Sequence, residues 1–218
     1  MAAGENPSRE RVFERIRSAL KTPAPRRASA PSERPLFAAI PDTLERFQSE
    51  CTANSTELIH VPDARAAAEA LGSVLASVEQ GDIYVQDAPF LRRMVLGLSA
   101  KHTFHWSNES PPNESSQATI TAAECLIAAT GSIVIAASSA GRGASVVAPL
   151  HIVVASEEQI EPDLAAVLRL AKERGLVRNN SALFLITGSS RTADIEKILV
   201  LGAHGPRRVL VILAGNLD

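Results

Sequence analysis

The sequence predicts an α/β fold with a mainly parallel sheet and flanking helices. Short apolar runs such as residues 58–61 and 83–85 have the length of buried strands. Helical patterns separate these runs, and one of them begins after the capping residue Asp63. Strands that alternate with helices pair in parallel through right-handed crossovers. With 218 residues, 45% of them hydrophobic, the chain is long enough to bury one sizeable core.

Local signals place each predicted element. Asn6 and Pro7 predict a helix start, and Asp42 and Asp63 are predicted to cap two further helices. Asp87 with Pro89, and Glu161-Pro162-Asp163, predict two more helix starts. Residues 107–117 are polar and contain two consecutive prolines, which predicts a surface loop. Helices are predicted at residues 7–20, 42–47, 63–78, 87–98 and 161–170, and strands at residues 58–61, 83–85, 102–106, 125–129, 133–137, 183–186 and 209–213 and within 146–154.

Three segments of different character follow one another along the chain. Residues 1–20 predict an amphipathic helix, residues 21–35 a linker rich in proline and arginine, and residues 36–218 an α/β domain. Two interpretations of the helix are open. It packs on its own domain with a solvated basic side, or it docks on another subunit.

Composition excludes several classes of function. A net charge of -2 and an aromatic share of 4% disfavour nucleic-acid binding. Cys51 and Cys125 lie far apart without a CxxC motif, so the sequence predicts no disulfide framework, no metal site and no bound cofactor. The polar amino terminus does not look like a signal peptide, and the longest apolar stretch, residues 126–137, is too short to span a bilayer. We therefore expect a cytoplasmic protein.

Glycine-bearing polar segments after apolar runs are the candidate binding loops. In open α/β sheets such loops gather beyond the carboxyl ends of the strands, where backbone amides, hydroxyls and an arginine bind anions. We expect ligand contacts from these segments and from a loop arginine. The candidate residues are Thr130, Gly131, Ser132, Arg142, Ser190, Arg191, Thr192, Asp194, Glu196, His204 and Gly205.

Each segment also has a purely structural interpretation. Thr130-Gly131-Ser132 is a typical hairpin turn, and Ser190 is a typical cap for a helix entered at Thr192. His204 fits a hydrogen-bonded loop position. The remaining histidines lie in or beside apolar strands and fit structural roles; they are His60, His102, His105 and His151.

Taken together, these motifs resemble the lactate utilisation protein C, or LUD-domain, family. Thr187-Gly-Ser-Ser-Arg-Thr-Ala-Asp-Ile-Glu196 and the following Gly-Ala-His-Gly-Pro206 are similar to its carboxy-terminal signature. Upstream, the Thr130 turn, Arg142 and Pro149-Leu150-His151-Ile152 also match. Three positions depart from the pattern: Ala129 stands where the family often has an acid, Ser189 replaces proline and Ala203 replaces valine.

The resemblance implies a fold like that of the ribose-phosphate isomerase and coenzyme A transferase group. It also implies a place in a three-component system that oxidises L-lactate and whose other components carry iron–sulfur clusters. On this basis we expect a non-redox accessory subunit that binds a small anion or a partner component. The alternatives are a scaffold, or an autonomous enzyme acting on a sugar phosphate or acyl-coenzyme A. Such an enzyme would need a carboxylate, for which Asp194, Glu196 and Glu124 are the candidates.

Overall fold

The computed structural model describes residues 7–21, 38–96, 98, 101–192, 200–201 and 205–217. The chain divides into two compact units, Met1–Leu36 and Phe37–Asp218. Among the described residues, no helix is long and apolar enough to cross a membrane.

The first unit contains helix α1 (Pro7–Leu20), as the sequence predicts. Its apolar side chains Val12, Phe13 and Ile16 are exposed, and the Arg9 guanidinium lies 4.9 Å from the centre of the Phe13 ring. The predicted Asn6 cap and most of the predicted linker lie outside the described residues. The docking of α1 on another subunit stays a prediction.

The described part of the second unit contains six α-helices, and the predicted caps Asp42 and Asp63 are confirmed. Asp163 caps the helix that was predicted to open at residues 161–163, whereas the helix predicted to start at Asp87 begins at Pro89 after Ala88, without a side-chain cap. The Oδ1 atoms of Asp42, Asp63 and Asp163 accept hydrogen bonds from the backbone amides of the third residues after them, at 2.8–2.9 Å. The helices are α2 (Thr43–Ala53), α3 (Ala64–Ser77), α4 (Pro89–Val95), α5 (Ala137–Ala140), α6 (Leu164–Glu173) and α7 (Leu176–Asn179). Helix α4 is shorter than the predicted span to Leu98, because Gly97 is a poor helix former.

The strands within the described residues form two main sheets and a small ribbon. They are β1 (Glu57–Val61), β2 (Gly81–Val85), β3 (His102–Trp106), β4 (Ala118–Ala122), β5 (Cys125–Ile127), β6 (Ser132–Ala136), β7 (Leu150–Ser156), β8 (Ile160–Glu161), β9 (Leu183–Ile186), β10 (Arg191–Thr192), β11 (Val200–Leu201) and β12 (Arg208–Ala214). The larger sheet has the order β1-β12-β7-β4-β2-β3, and all its paired neighbours are parallel. This arrangement confirms the predicted α/β class.

The second sheet has the order β8-β5-β6-β9. Strands β5 and β6 form the antiparallel hairpin that Thr130-Gly131-Ser132 predicts. The expected helix start at Thr192 is wrong, because Arg191 and Thr192 form strand β10, which pairs with β11 in an antiparallel ribbon. Residues 193–199 lie outside the described residues.

The elements pack in layers around the larger sheet. Helices α3 and α4 cover one face, where Ile83, Val85 and Leu91 are fully buried. Helix α2 and the β5–β6 hairpin cover the other face, where Phe47 and Leu126 belong to a second hydrophobic core. Helix α6 packs on the far side of the hairpin sheet through Val167. Burial on both faces explains why the strands of the larger sheet are mostly continuous apolar runs.

Candidate functional site

The β5–β6 turn and the loop after β9 meet at the carboxyl end of α2. Gly131 has a φ of +60°, and a Cβ there would lie 2.8 Å from the backbone nitrogen of Cys51. Gly188 has a φ of +82°, and its Cβ would lie 2.2 Å from the carbonyl oxygen of Asn54. Both positions require glycine, because the conformation is left-handed and backbone atoms occupy the space of a side chain.

Three hydroxyl groups form a chain across this junction. The Oγ of Ser132 lies 2.7 Å from the Oγ1 of Thr130 and 2.6 Å from the Oγ1 of Thr187. Ser132 is buried, whereas Thr130 and Thr187 are exposed. A hydroxyl both donates and accepts, so the chain ties the two loops together and presents its two ends to solvent.

Arg191 is linked to the same junction through Asn54. Its Nη2 donates to the Asn54 carbonyl oxygen at 2.9 Å, while the Asn54 side-chain amide donates to the carbonyl oxygens of Thr130 and Glu50, both at 2.9 Å. The last carbonyls of a helix lack partners within the helix. The exposed Arg191 therefore stabilises the end of α2 with one of its donors.

Ser190 and Gly205 also lie together. The Ser190 amide donates to the Pro206 carbonyl oxygen at 2.9 Å, and a Cβ on Gly205 would lie 3.1 Å from the Ser190 Cβ. The backbone of Thr192 lies in the adjoining strand β10. Three other predicted site residues, Asp194, Glu196 and His204, lie outside the described residues.

The position of this cluster differs from the expected one. It lies beside the amino ends of β1 and β12, because Thr56 leads from α2 into β1 and Pro206 leads into β12. The carboxyl edge of the parallel sheet was expected. The reason is topological, since the Thr130 turn belongs to the second sheet and the Gly205 loop precedes a strand of the larger sheet rather than following one.

Arg142 does not join the cluster. Its Nε donates to the Ser181 Oγ at 3.2 Å, just before β9. Strands β6 and β9 pair from Ile133–Ile186 at the cluster end to Ala136–Leu183 at the Arg142 end. At about 3.3 Å per residue, the paired segment alone separates the two ends by roughly 10 Å.

The cluster offers hydrogen-bond donors rather than an activated nucleophile. Among the described residues, no histidine or carboxylate hydrogen-bonds to the hydroxyls of Thr130, Ser132 or Thr187. Burial raises the pKa of the Cys51 thiol to about 12, and it also raises the pKa of Cys125. Neither thiol is a reactive nucleophile at neutral pH.

A groove of about 610 Å³ adjoins the turn at Ala129. It runs along the first half of α2, where Asp42, Glu45 and Arg46 contribute its charged groups. Arg46 is paired with Glu50 at 2.6 Å. Two carboxylates in the lining favour a basic or neutral occupant, so a small anion fits the Arg191 end of the junction better than this groove.

Three histidines for which structural roles were predicted make hydrogen bonds within the fold. His151 is fully buried, and its Nε2 lies 2.9 Å from the Thr121 Oγ1. Its Nδ1 has no partner among the described residues, and burial lowers the pKa of His151 to about 4. His60 Nε2 lies 2.6 Å from Glu157 Oε1, and His102 Nε2 lies 2.9 Å from the Leu75 carbonyl oxygen.

Two members of the cluster were not among the predicted site residues. Thr187 follows β9 directly, within a segment that the sequence analysis selected. In the sequence, Asn54 indicates only the end of a helix. Its contacts with Thr130 and Arg191 form through tertiary packing, since these residues lie 76 and 137 positions away along the chain.

Comparisons of the sequence and of the fold with known proteins agree on one protein family. Residues 112–214 match the LUD domain. Lactate utilization protein C of Bacillus velezensis is 28% identical over 194 residues, which cover 80% of this chain and 79% of that protein. Lactate utilization protein C of Deinococcus radiodurans is 34% identical over 100 residues, covering 45% and 46% of the two chains. A crystal structure of a DUF162 family protein from D. radiodurans superimposes with a TM-score of 0.59 at 21% identity, covering 79% of this chain and 96% of that one.

Proposed function

Because this chain belongs to the LUD-domain family that includes lactate utilisation protein C, we propose that it is a non-redox accessory subunit of an L-lactate oxidising system. The observation that carries the proposal is the similarity to proteins named lactate utilization protein C over 80% of this chain. That length includes both the helix-rich first half and the motif-bearing second half, so the likeness is not confined to one loop.

The redox step is assigned to partner components that hold iron–sulfur clusters. Such a cluster takes about four thiolate ligands, and this chain contains two cysteines. Both are buried, on different elements: Cys51 lies in α2 and Cys125 in β5. Electrons from lactate would therefore pass through another subunit.

The role of this subunit is to hold a small anion, or an anionic group of a partner, at the junction of Thr130, Thr187 and Arg191. Two exposed hydroxyls and a guanidinium supply donors on one surface, and a guanidinium binds a carboxylate or phosphate through two parallel hydrogen bonds. Gly205 lies beside Ser190 at this junction, and we keep Thr192, Asp194, Glu196 and His204 as predicted ligand contacts. Arg142 lies too far away to take part.

An autonomous enzyme acting on a sugar phosphate or acyl-coenzyme A is the less favoured function. It needs a general base near its reacting group. At this junction the described hydroxyls bond only to one another, and Ala129 stands where the resembled family often has an acid.

Arg191→Leu tests the proposal in a lactate oxidation assay with the purified iron–sulfur components. Turnover should depend on adding this chain, and the variant should lower that dependent turnover by roughly ten- to a hundredfold, the scale of a lost charge-assisted contact. Its thermal stability should fall only slightly, because Arg191 is exposed and its one bond to Asn54 is replaceable by water.

Asn54→Ala is the matched control. It removes the side-chain amide that ties α2 to Thr130 but keeps the Arg191 side chain and the carbonyl that Arg191 contacts. It should lower the melting temperature at least as much as Arg191→Leu while keeping most of the turnover per folded molecule. Equal losses of turnover in both variants would mean that Arg191 acts only by bracing α2.

A further inference from the structure

A second cavity lies at the carboxyl edge of the parallel sheet, far in the fold from the Arg191 junction. From β2 the chain passes to β3 on one side, and then to β4, β7 and β12 on the other side. The direction of strand addition therefore reverses between β2 and β4. In open α/β sheets, ligands bind beyond the carboxyl ends of the strands at such a reversal.

The cavity opens beside this reversal and has a volume of about 450 Å³. Its floor consists of the ends of two parallel strands, with Ala122 and Ala123 at the end of β4 and Ser156 at the end of β7. Helix α4 contributes Phe90 and Arg93 to its wall, and the remaining lining residues are Pro89, Gln159 and Leu217.

The floor is held rigid by hydrogen bonds between the strand ends. The Gln159 Nε2 donates to the Ala123 carbonyl oxygen at 2.6 Å, and the Gln159 Oε1 accepts from the Ser156 amide at 2.8 Å. The buried Gln86, which follows β2, accepts from the Ala122 amide at 2.9 Å and bridges the reversal itself. A preformed floor of this kind lowers the entropy lost when a ligand binds.

The charged residues among the described lining of the cavity are basic. Beside this larger lobe lies a smaller lobe of about 170 Å³, which is also lined by Arg65. The two lobes share the lining residues Phe90, Arg93 and Leu217. None of the described residues that line the two lobes is acidic. Arg65 contacts Glu69 at 3.4 Å on the exposed surface of α3. Two guanidinium groups beside an apolar wall favour a dianionic group attached to an apolar or planar body.

We propose that this cavity binds an organic phosphate of mononucleotide size. The phosphate group lies against Arg93, with Arg65 beside it, and the planar part packs on Phe90 and Leu217. The volume of about 450 Å³ lies within the range of about 300–1,000 Å³ that is typical of small-molecule sites. The site is separate from the Arg191 junction, so this proposal is tested independently of the proposed role in lactate oxidation.

Calorimetric titration of the full-length protein with AMP tests the proposal, with adenosine and inorganic phosphate as the two halves of the probe. AMP should bind saturably at one site per chain, and each half should bind at least tenfold more weakly. Arg93→Leu should weaken AMP binding by roughly ten- to a hundredfold, the scale of a lost charge-assisted contact. Arg169→Leu, which removes an exposed arginine of α6, should change it by less than twofold.

Three results would overturn the proposal: no saturable AMP binding, equal affinities for AMP and adenosine, or equal effects of the two arginine variants. Arg93→Gln keeps the length and polarity of the side chain and replaces Arg93→Leu if the latter fails to fold.

Discussion

Replacing Gly188 with alanine is expected to destabilise the α/β domain by roughly 2–5 kcal/mol, the sum of a left-handed conformation and an overpacked contact. Gly188 has a φ of +82°, and the added Cβ would lie 2.2 Å from the carbonyl oxygen of Asn54. That neighbour is backbone at the end of a helix, so it cannot rotate away as a side chain could. Urea unfolding of the purified variant measures the loss.

Gly175→Ala is the matched control for this effect. Gly175 has a similar φ of +70°, but the nearest atom to its Cβ would be the side-chain amide nitrogen of Asn179 at 3.3 Å. Only the conformational penalty of about 1 kcal/mol is expected there. Equal losses in the two variants would show that the β9 loop does not press on the end of α2 as described.

The buried His151 is expected to make the domain sensitive to acid. Burial lowers the pKa of His151 from an ordinary 6.5 to about 4 in the folded protein, whereas the unfolded chain keeps the ordinary value. Between these two pKa values the unfolded chain binds a proton that the folded chain does not. Stability is therefore full above pH 6.5 and falls as the pH drops towards 4. The loss between pH 7.5 and pH 4.5 is about 2–3 kcal/mol from this residue.

His151→Gln separates this contribution from all other titrating groups. Glutamine keeps a polar partner for the Thr121 hydroxyl but has no proton to gain in this range. Unfolding free energies of both proteins at the two pH values give the difference directly. The variant should lose less stability on acidification by about 2–3 kcal/mol. An identical pH dependence in both proteins would exclude a neutral, buried His151.

Most of the larger sheet could be predicted from the sequence, and the exception is informative. Strands β1, β2, β3, β7 and β12 coincide with predicted strands, but β4 was not predicted. Its Thr119 and Thr121 are fully buried on the same face of the sheet as His151. A buried strand with threonines at alternate positions lacks the apolar run on which the prediction depended. Only tertiary contacts such as the bond from Thr121 to His151 show why it lies inside.

The candidate site was predicted in its parts rather than in its arrangement. The hairpin turn, Ser190, Arg191 and Gly205 were selected from glycine, hydroxyl and arginine patterns, and the described parts lie around one junction. Local patterns could not show that α2 supplies the surface on which the loops meet. They also could not show that Arg142 faces Ser181 at the other end of β6 and β9. Both facts follow from the pairing of the second sheet, which sequence periodicity does not specify.

Growth on L-lactate tests the central claim most directly. In a host strain that has no other L-lactate oxidising enzyme, the gene for this chain is deleted and then restored on a plasmid. The account predicts that the deletion strain grows normally on glucose, fails to grow on L-lactate as sole carbon source, and recovers with the wild-type gene. Growth of the deletion strain on L-lactate at the wild-type rate would contradict the proposed function.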